Sequence, residues 1–222
     1  IGSRLDYHTR NFNKAMVQIG DQPVISKIIN FYPKNCKFVI ILGYKQEHIK
    51  EYIKLVHSNR NIKFRFINPF EGKKSSLTLT LKQAINDIKE PFYFHANDTI
   101  ILEKKIFDFK KKNTIFVHKG KSDCLKYATV DIKKNKIYPK QSKLITNRKN
   151  YIGVSYIKDF KKFKQILKND KSKNGELSFF YKLNPNQFET KILNQWFDIG
   201  SKETKEIAEK FFSNKNILPK ND

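Results

Sequence analysis

PVISKIINFYPKNCKFVIILGYKQEHIKEYIKLV, residues 23–56, is the stretch that decides the fold. Pro23 to Tyr32 (PVISKIINFY) is apolar at helical spacing, with proline near its start, where a helix tolerates it. Lys37 to Leu42 (KFVIIL) is a continuous apolar run rich in β-branched residues, the pattern of a strand buried on both faces. Gly43-Tyr44 ends it. Gln46 to Val56 is an amphipathic helix, and Asn61 to Ile67 (NIKFRFI) alternates as a strand does. Strand and helix in alternation predict an α/β fold, a Rossmann-like, mostly parallel sheet flanked by helices.

Beyond this stretch, residues 68–75 form a Pro/Gly loop and residues 76–88 a helix. Pro91 to His95 is a strand ending at Ala96-Asn97-Asp98. Later strands are expected near 114–118, 127–132, 151–157 and 188–193, and later helices near 159–167, 176–183 and 202–212. No repeat or linker interrupts the pattern, so residues 1–222 read as one domain. Ligands of such sheets collect beyond the carboxyl ends of the strands. Gly43, Asp98 and the loop from Glu71 to Ser76 lie there on this reading.

The composition is that of a globular chain: 39% hydrophobic and 14% aromatic over 222 residues. No apolar run approaches the roughly 18 residues that span a bilayer, and no secretory signal opens the sequence. The two cysteines, Cys36 and Cys124, have no metal-type spacing, which points to a reduced, cytoplasmic protein. The formal net charge is +24. Nucleic acid, anionic membranes and anionic small substrates all fit that number. The lysines are spread from end to end, however, which favours a compositional bias over a nucleic-acid footprint.

Gly2-Ser3-Arg4-Leu5 with Lys14 is a candidate polyphosphate loop. Glycine lets the backbone approach phosphate oxygens, and the N–H groups point at them. Arginine clamps two oxygens, while lysine adds a mobile charge. The numbered chain begins inside this loop. The first strand of the sheet is therefore expected before Ile1.

Several segments together resemble the nucleotidyltransferases that join a nucleotide to a sugar phosphate or a small phosphorylated alcohol. That family opens with Leu-Ala-Ala-Gly-x-Gly-[Ser/Thr]-Arg, then Pro-Lys-x-Leu and Gly-x-Pro-[Leu/Val]-Ile. Here stand Gly2-Ser3-Arg4-Leu5, Asn13-Lys14-Ala15-Met16 and Gly20-Asp21-Gln22-Pro23-Val24-Ile25. Phe94-His95-Ala96-Asn97-Asp98-Thr99 follows, then Tyr151-Ile152-Gly153-Val154 and Gly175-Glu176-Leu177. Trp196-Phe197-Asp198-Ile199-Gly200-Ser201 completes the series. Two departures are Asn13 in place of proline, expected to loosen the loop, and the absent Leu-Ala-Ala-Gly strand end.

The resemblance implies roles. Arg4 and Lys14 act on the triphosphate. Gly2, Ser3, Ser75, Ser76 and Asn97 complete the nucleotide contacts, within a nucleotide-binding half of about 1–100. Asp98 and Asp198 hold Mg²⁺, which favours carboxylates and bridges substrate phosphates. Tyr127, Tyr151, Gly153, Glu176 and Trp196 lie in the acceptor-binding half. His95 reads as structural, and His8, His48, His57 and His118 form no cluster. Chain length resembles the compact cytidylyltransferases, which favours CTP, with phosphocholine or a phosphonate as acceptor. A cationic head group would need aromatic faces or carboxylates. The alternatives are a sugar 1-phosphate with UTP or dTTP, a basic nucleic-acid-binding module, and a family member that binds nucleotide without turnover. Homodimerisation and an upstream fused domain stay open.

Overall fold

In the computed structural model, the described residues are 13–215 other than 69, 71, 73, 74, 142–144 and 146. Gly2, Ser3 and Arg4 lie outside them. The chain packs as two compact units. The described residues of 1–64, 97–102 and 196–222 form the first, and those of 65–96 and 103–195 the second.

The first unit opens with a 3-10 turn over Lys14–Met16. Strands β1 (Gln18–Ile19) and β2 (Gln22–Pro23) form a small hairpin. Gly20 sits at its turn with φ +63°, a conformation that costs glycine nothing. Helix α1 (Val24–Phe31) follows, with Val24, Ile25, Ser26, Ile28, Ile29 and Phe31 all buried. Next come β3 (Lys37–Leu42), α2 (Gln46–Val56) and β4 (Asn61–Phe66). Strands β3 and β4 are hydrogen-bonded neighbours joined through α2, the connection that a βαβ crossover makes.

Strand β3 is not buried on both faces. Leu42 is 3% exposed, but Val39 is 40% exposed. Phe38, Ile40 and Leu42 pack with Ile25 and Ile29 of α1 and with Ile49 and Ile53 of α2. Both helices thus cover the same face of the strand. Its two-residue period leaves Lys37 and Val39 on the other.

In the second unit, α3 (Leu77–Ala84) leads to β5 (Phe92–His95). The helix stops four residues before the expected end. The turn beyond it carries Asp87 to Arg65, whose fork donates to both carboxylate oxygens at 2.6 and 2.7 Å. The chain then supplies β6 (Thr99–Ile101) to the first unit. Back in the second unit follow β7 (Asn113–His118), β8 (Thr129–Asp131), β9 (Lys136–Tyr138) and β10 (Lys149–Ile157). Helices α4 (Phe160–Asn169) and α5 (Leu177–Tyr181) precede β11 (Phe188–Leu193). The first unit is completed by β12 (Trp196–Asp198) and α6 (Lys202–Lys215).

The fold is mixed α/β and Rossmann-like, with helices flanking the sheets. In the six-stranded sheet of the second unit the order is β11-β7-β10-β8-β9, with β5 also on β10. Its registers are mixed: β11 runs parallel to β7, while β10 is antiparallel to β5, β7 and β8. The core beside it is aromatic. Phe163 lies edge-on to Phe92 and Phe179, with ring centroids 5.3 and 5.6 Å apart, and Phe180 continues the row to Phe188. No helix among the described residues is long and apolar enough to cross a membrane.

Candidate active site

Among the described residues, the first unit holds Lys14, Asn97, Asp98, Trp196 and Asp198 of those singled out by sequence. Lys14 lies in the 3-10 turn, and Asn13 holds that turn in place. The Asn13 side-chain oxygen accepts from the Ala15 N–H at 3.0 Å, and its amide donates to the Tyr44 carbonyl at 2.7 Å. Asparagine where the resembled family has proline therefore ties the loop through its side chain, against the expected loosening. Lys14 Nζ donates to Asp98 Oδ2 at 2.6 Å. The lysine side chain is 16% exposed and the aspartate 31%, so ligand can reach the pair.

Asp98 and Asp198 are 100 residues apart in sequence, and strand pairing brings their backbones together. Strands β6 and β12 are antiparallel, with Asp198 opposite Thr99. One step further, the Ile199 N–H donates to the Asp98 carbonyl at 2.7 Å. Asp98 sits on the turn before β6, outside the regular pleat, and its carboxylate goes to Lys14.

Asp198 is held by its own turn. Its Oδ1 accepts from the Gly200 N–H at 2.9 Å, an Asx turn. A Cβ on Gly200 would come within 2.7 and 3.0 Å of the two carboxylate oxygens. Glycine is needed there because the carboxylate occupies the space. The colliding group is the mobile end of a side chain, so Gly200→Ala should displace Asp198 and leave the fold standing. The expected result is at least about a tenfold fall in turnover with less than about 0.5 kcal/mol change in stability, read by steady-state kinetics and urea unfolding.

The donor set suits a hard cation. Two carboxylates next to substrate phosphates are the usual Mg²⁺ complement, with phosphate and water oxygens filling the remaining positions. Among the described residues no three His, Cys, Asp or Glu side chains gather to hold a metal. An ion held by Asp98 and Asp198 would thus draw on substrate oxygens. Asn97 is exposed beside Asp98. Trp196 also belongs to this unit, opposite Ile101 on the β6–β12 pair.

The second unit holds the other candidates. Tyr151 and Glu176 meet: the tyrosine hydroxyl donates to Glu176 Oε1 at 2.9 Å. Both are buried, at 6% and 2% exposure, and Glu176 Oε2 has no hydrogen-bond partner. Burial raises the Glu176 carboxyl to about 7, against the opposing bonds from its own backbone and from Tyr151. Burial, then the charge of Glu176, raises the Tyr181 hydroxyl to about 12.

Because the folded pKa of Glu176 lies above the unfolded value of 4.5, the native state binds the proton more tightly. Its contribution is present in full below pH 4.5 and is lost as pH rises to about 7. His57 works in the opposite sense. Burial, with help from Arg60, lowers its pKa, so acid destabilises it through and below 6.5. Its Nε2 lies 2.8 Å from the buried Ser26 hydroxyl. Glu176→Gln should remove the fall in stability between pH 5 and 7, leaving the histidine slope. Thermal unfolding of both proteins across that range reads the difference.

Gly153 has φ +75° where the β10–β7 register shifts, so glycine there serves a bulge. Its carbonyl accepts from the Ala96 N–H at 2.8 Å. Tyr127 is half-buried in the turn closed by its N–H on the Asp123 carbonyl. Ser76 caps α3, its hydroxyl accepting from the Leu79 N–H at 3.2 Å, and Ser75 precedes it. Sequence reading missed Gly200 and the cap of Asn13. The spacing Asp198-x-Gly200 and the asparagine before the turn were the available signals.

A chain with this α/β architecture has the fold of the nucleotidyltransferases. An apo UDP-glucose pyrophosphorylase matches at TM-score 0.79 and 14% identity, over 97% of this chain and 96% of that one. A UTP-bound UDP-glucose pyrophosphorylase from Acinetobacter baumannii matches at TM-score 0.72 and 16% identity, over 99% and 91%. The CTP:phosphocholine cytidylyltransferase of Streptococcus pneumoniae matches at TM-score 0.68 and 17% identity, over 95% and 94%. Neither a protein-family model nor a curated protein sequence matches the chain.

Proposed function

We propose that this protein transfers a nucleotidyl group from a nucleoside triphosphate to a small phosphorylated acceptor and releases pyrophosphate. The observation that carries the reading is the Lys14–Asp98 ion pair beside Asp198, within a fold similar to that of nucleotidyltransferases.

The chemistry needs no histidine base. An acceptor phosphate is largely dianionic at neutral pH, with a second pKa near 6. One of its oxygens attacks the α-phosphorus and forms the new P–O bond. The bond from the α-phosphorus to the bridging oxygen breaks, and pyrophosphate leaves with the electron pair. Lys14 neutralises charge on the triphosphate, and Arg4 joins it on the resemblance. Asp98 and Asp198 would hold Mg²⁺, which when bound offsets phosphate charge and orients the leaving group. Gly2, Ser3, Ser75, Ser76 and Asn97 contact the nucleotide. Tyr127, Tyr151, Gly153, Glu176 and Trp196 serve the acceptor on the resemblance, and the Tyr151–Glu176 hydrogen bond fixes the glutamate.

CTP with phosphocholine or a phosphonate is the favoured pair, supported by the cytidylyltransferase likeness. UTP with a sugar 1-phosphate is the second reading, supported by the two pyrophosphorylases. A cytoplasmic site of action accords with two free cysteines.

The test supplies each of four nucleoside triphosphates with Mg²⁺ and a panel of phosphocholine, phosphonates and sugar 1-phosphates. Pyrophosphate release with one nucleotide–acceptor pair is expected. No release with any pair overturns the reading.

A further inference from the structure

Helix α3 and the loop that carries Glu176 are fastened together through one hydroxyl. Thr78, in the first turn of α3, is 1% exposed. Its Oγ1 donates to Asp170 Oδ2 at 3.3 Å and accepts from the Gly175 N–H at 2.9 Å. The hydroxyl therefore fixes the residue immediately before Glu176.

Asp170 braces the other side of the same loop. It closes α4, and its oxygens accept from the Ser172 N–H and hydroxyl, both at 2.9 Å. The Ser172 hydroxyl lies 2.8 Å from that of Ser178 in α5. The Asp170 carbonyl accepts from Lys82 Nζ, again on α3, at 2.9 Å. Burial pushes the Asp170 carboxyl up, but bonds from Ser178, Ser172 and Thr78 outweigh it and hold the group ionised. Gly175 itself has φ +63°, and a Cβ there would collide with the Leu77 side chain. The loop thus rests directly on the start of α3 at Leu77 and Thr78.

Nothing in the reaction chemistry uses this cluster, yet it is buried, fully bonded at Thr78 and one residue from Glu176. We propose that Thr78, backed by Asp170, is a positioning residue for acceptor recognition: it holds Gly175 so that Glu176 stays on Tyr151. The inference rests on the acceptor role given to Glu176 above. It assigns Thr78 no contact with either substrate.

The test uses the full chain and Thr78→Val, which keeps the shape and removes both bonds. The acceptor KM should rise about tenfold, because Glu176 is no longer held in place on Tyr151. The nucleotide KM should stay within about twofold, because only acceptor binding is touched. Thr78→Ser, which restores the hydroxyl, should return the acceptor KM close to wild type. Amide exchange in the unliganded protein gives an independent readout: Gly175 should be protected in the wild type and in Thr78→Ser, and exposed in Thr78→Val. Should Thr78→Val not fold, Thr78→Ala, which also removes the acceptor of the Gly175 N–H and adds no methyl, carries the same expectation. Equal rises in both KM values, or Thr78→Ser behaving as Thr78→Val, would overturn the proposal. So would an unprotected Gly175 amide in the wild type, whatever the turnover. An absence of turnover in the wild type with Gly175 protected would instead count against the assigned reaction.

Discussion

Asp98→Asn is expected to lower turnover by about a thousandfold while the protein stays folded. The substitution keeps the side-chain volume and removes the charge that would hold Mg²⁺ and that now attracts Lys14 at 2.6 Å. Lys14→Met should cost about a hundredfold, the loss of one cation on the triphosphate. The double variant should lose less than the product of the two. Residues in direct contact act on one another as well as on the ligand. Pyrophosphate release at saturating substrate gives the rates, and far-UV circular dichroism confirms the fold. If Asp98→Asn kept more than about a tenth of wild-type turnover, Asp98 would leave the metal site.

The largest stability effect is expected at Phe163→Ala. Phe163 is 1% exposed and packs edge-on against Phe92 of β5 and Phe179 of α5. Removing the ring deletes both aromatic contacts and leaves a cavity that α4, β5 and α5 cannot all close. A loss of about 3–5 kcal/mol follows. Denaturant unfolding measures it. A loss below about 1 kcal/mol would mean that the aromatic row does not organise the second unit.

The two effects separate by position. Asp98 and Lys14 are partly exposed and belong to the proposed nucleotide site, so their removal is expected to cost function. Phe163 lies inside the aromatic row, and its removal costs stability without touching a substrate group. Asp170 and Thr78 fall between these cases: they are buried and structural, yet their loss is read in the affinity for one substrate.

Local structure was largely legible from residues 23–56. Helices α1 and α2 and strand β3 fall where periodicity and proline placed them, because each is decided by neighbours within a turn or two. Reading failed where partners are remote. The helix expected over 76–88 ends at Ala84, before the turn that carries Asp87 to Arg65. Strands β6 and β12 are three residues each, too short to show a period, and exist because they pair with one another. The one-sided burial of β3 follows from where α1 and α2 pack.

The candidate site divides the same way. The resemblance to the nucleotidyltransferases, carried by short motifs in a fixed order, singled out Lys14, Asp98, Asp198, Tyr151 and Glu176. Only tertiary structure set Lys14 on Asp98, placed Asp198 one step along the partner strand, and buried Glu176 on Tyr151. A sequence carries the chemistry of each side chain and its nearest neighbours. Contacts across 84 or 25 residues depend on how every intervening element packs, and no local pattern encodes them.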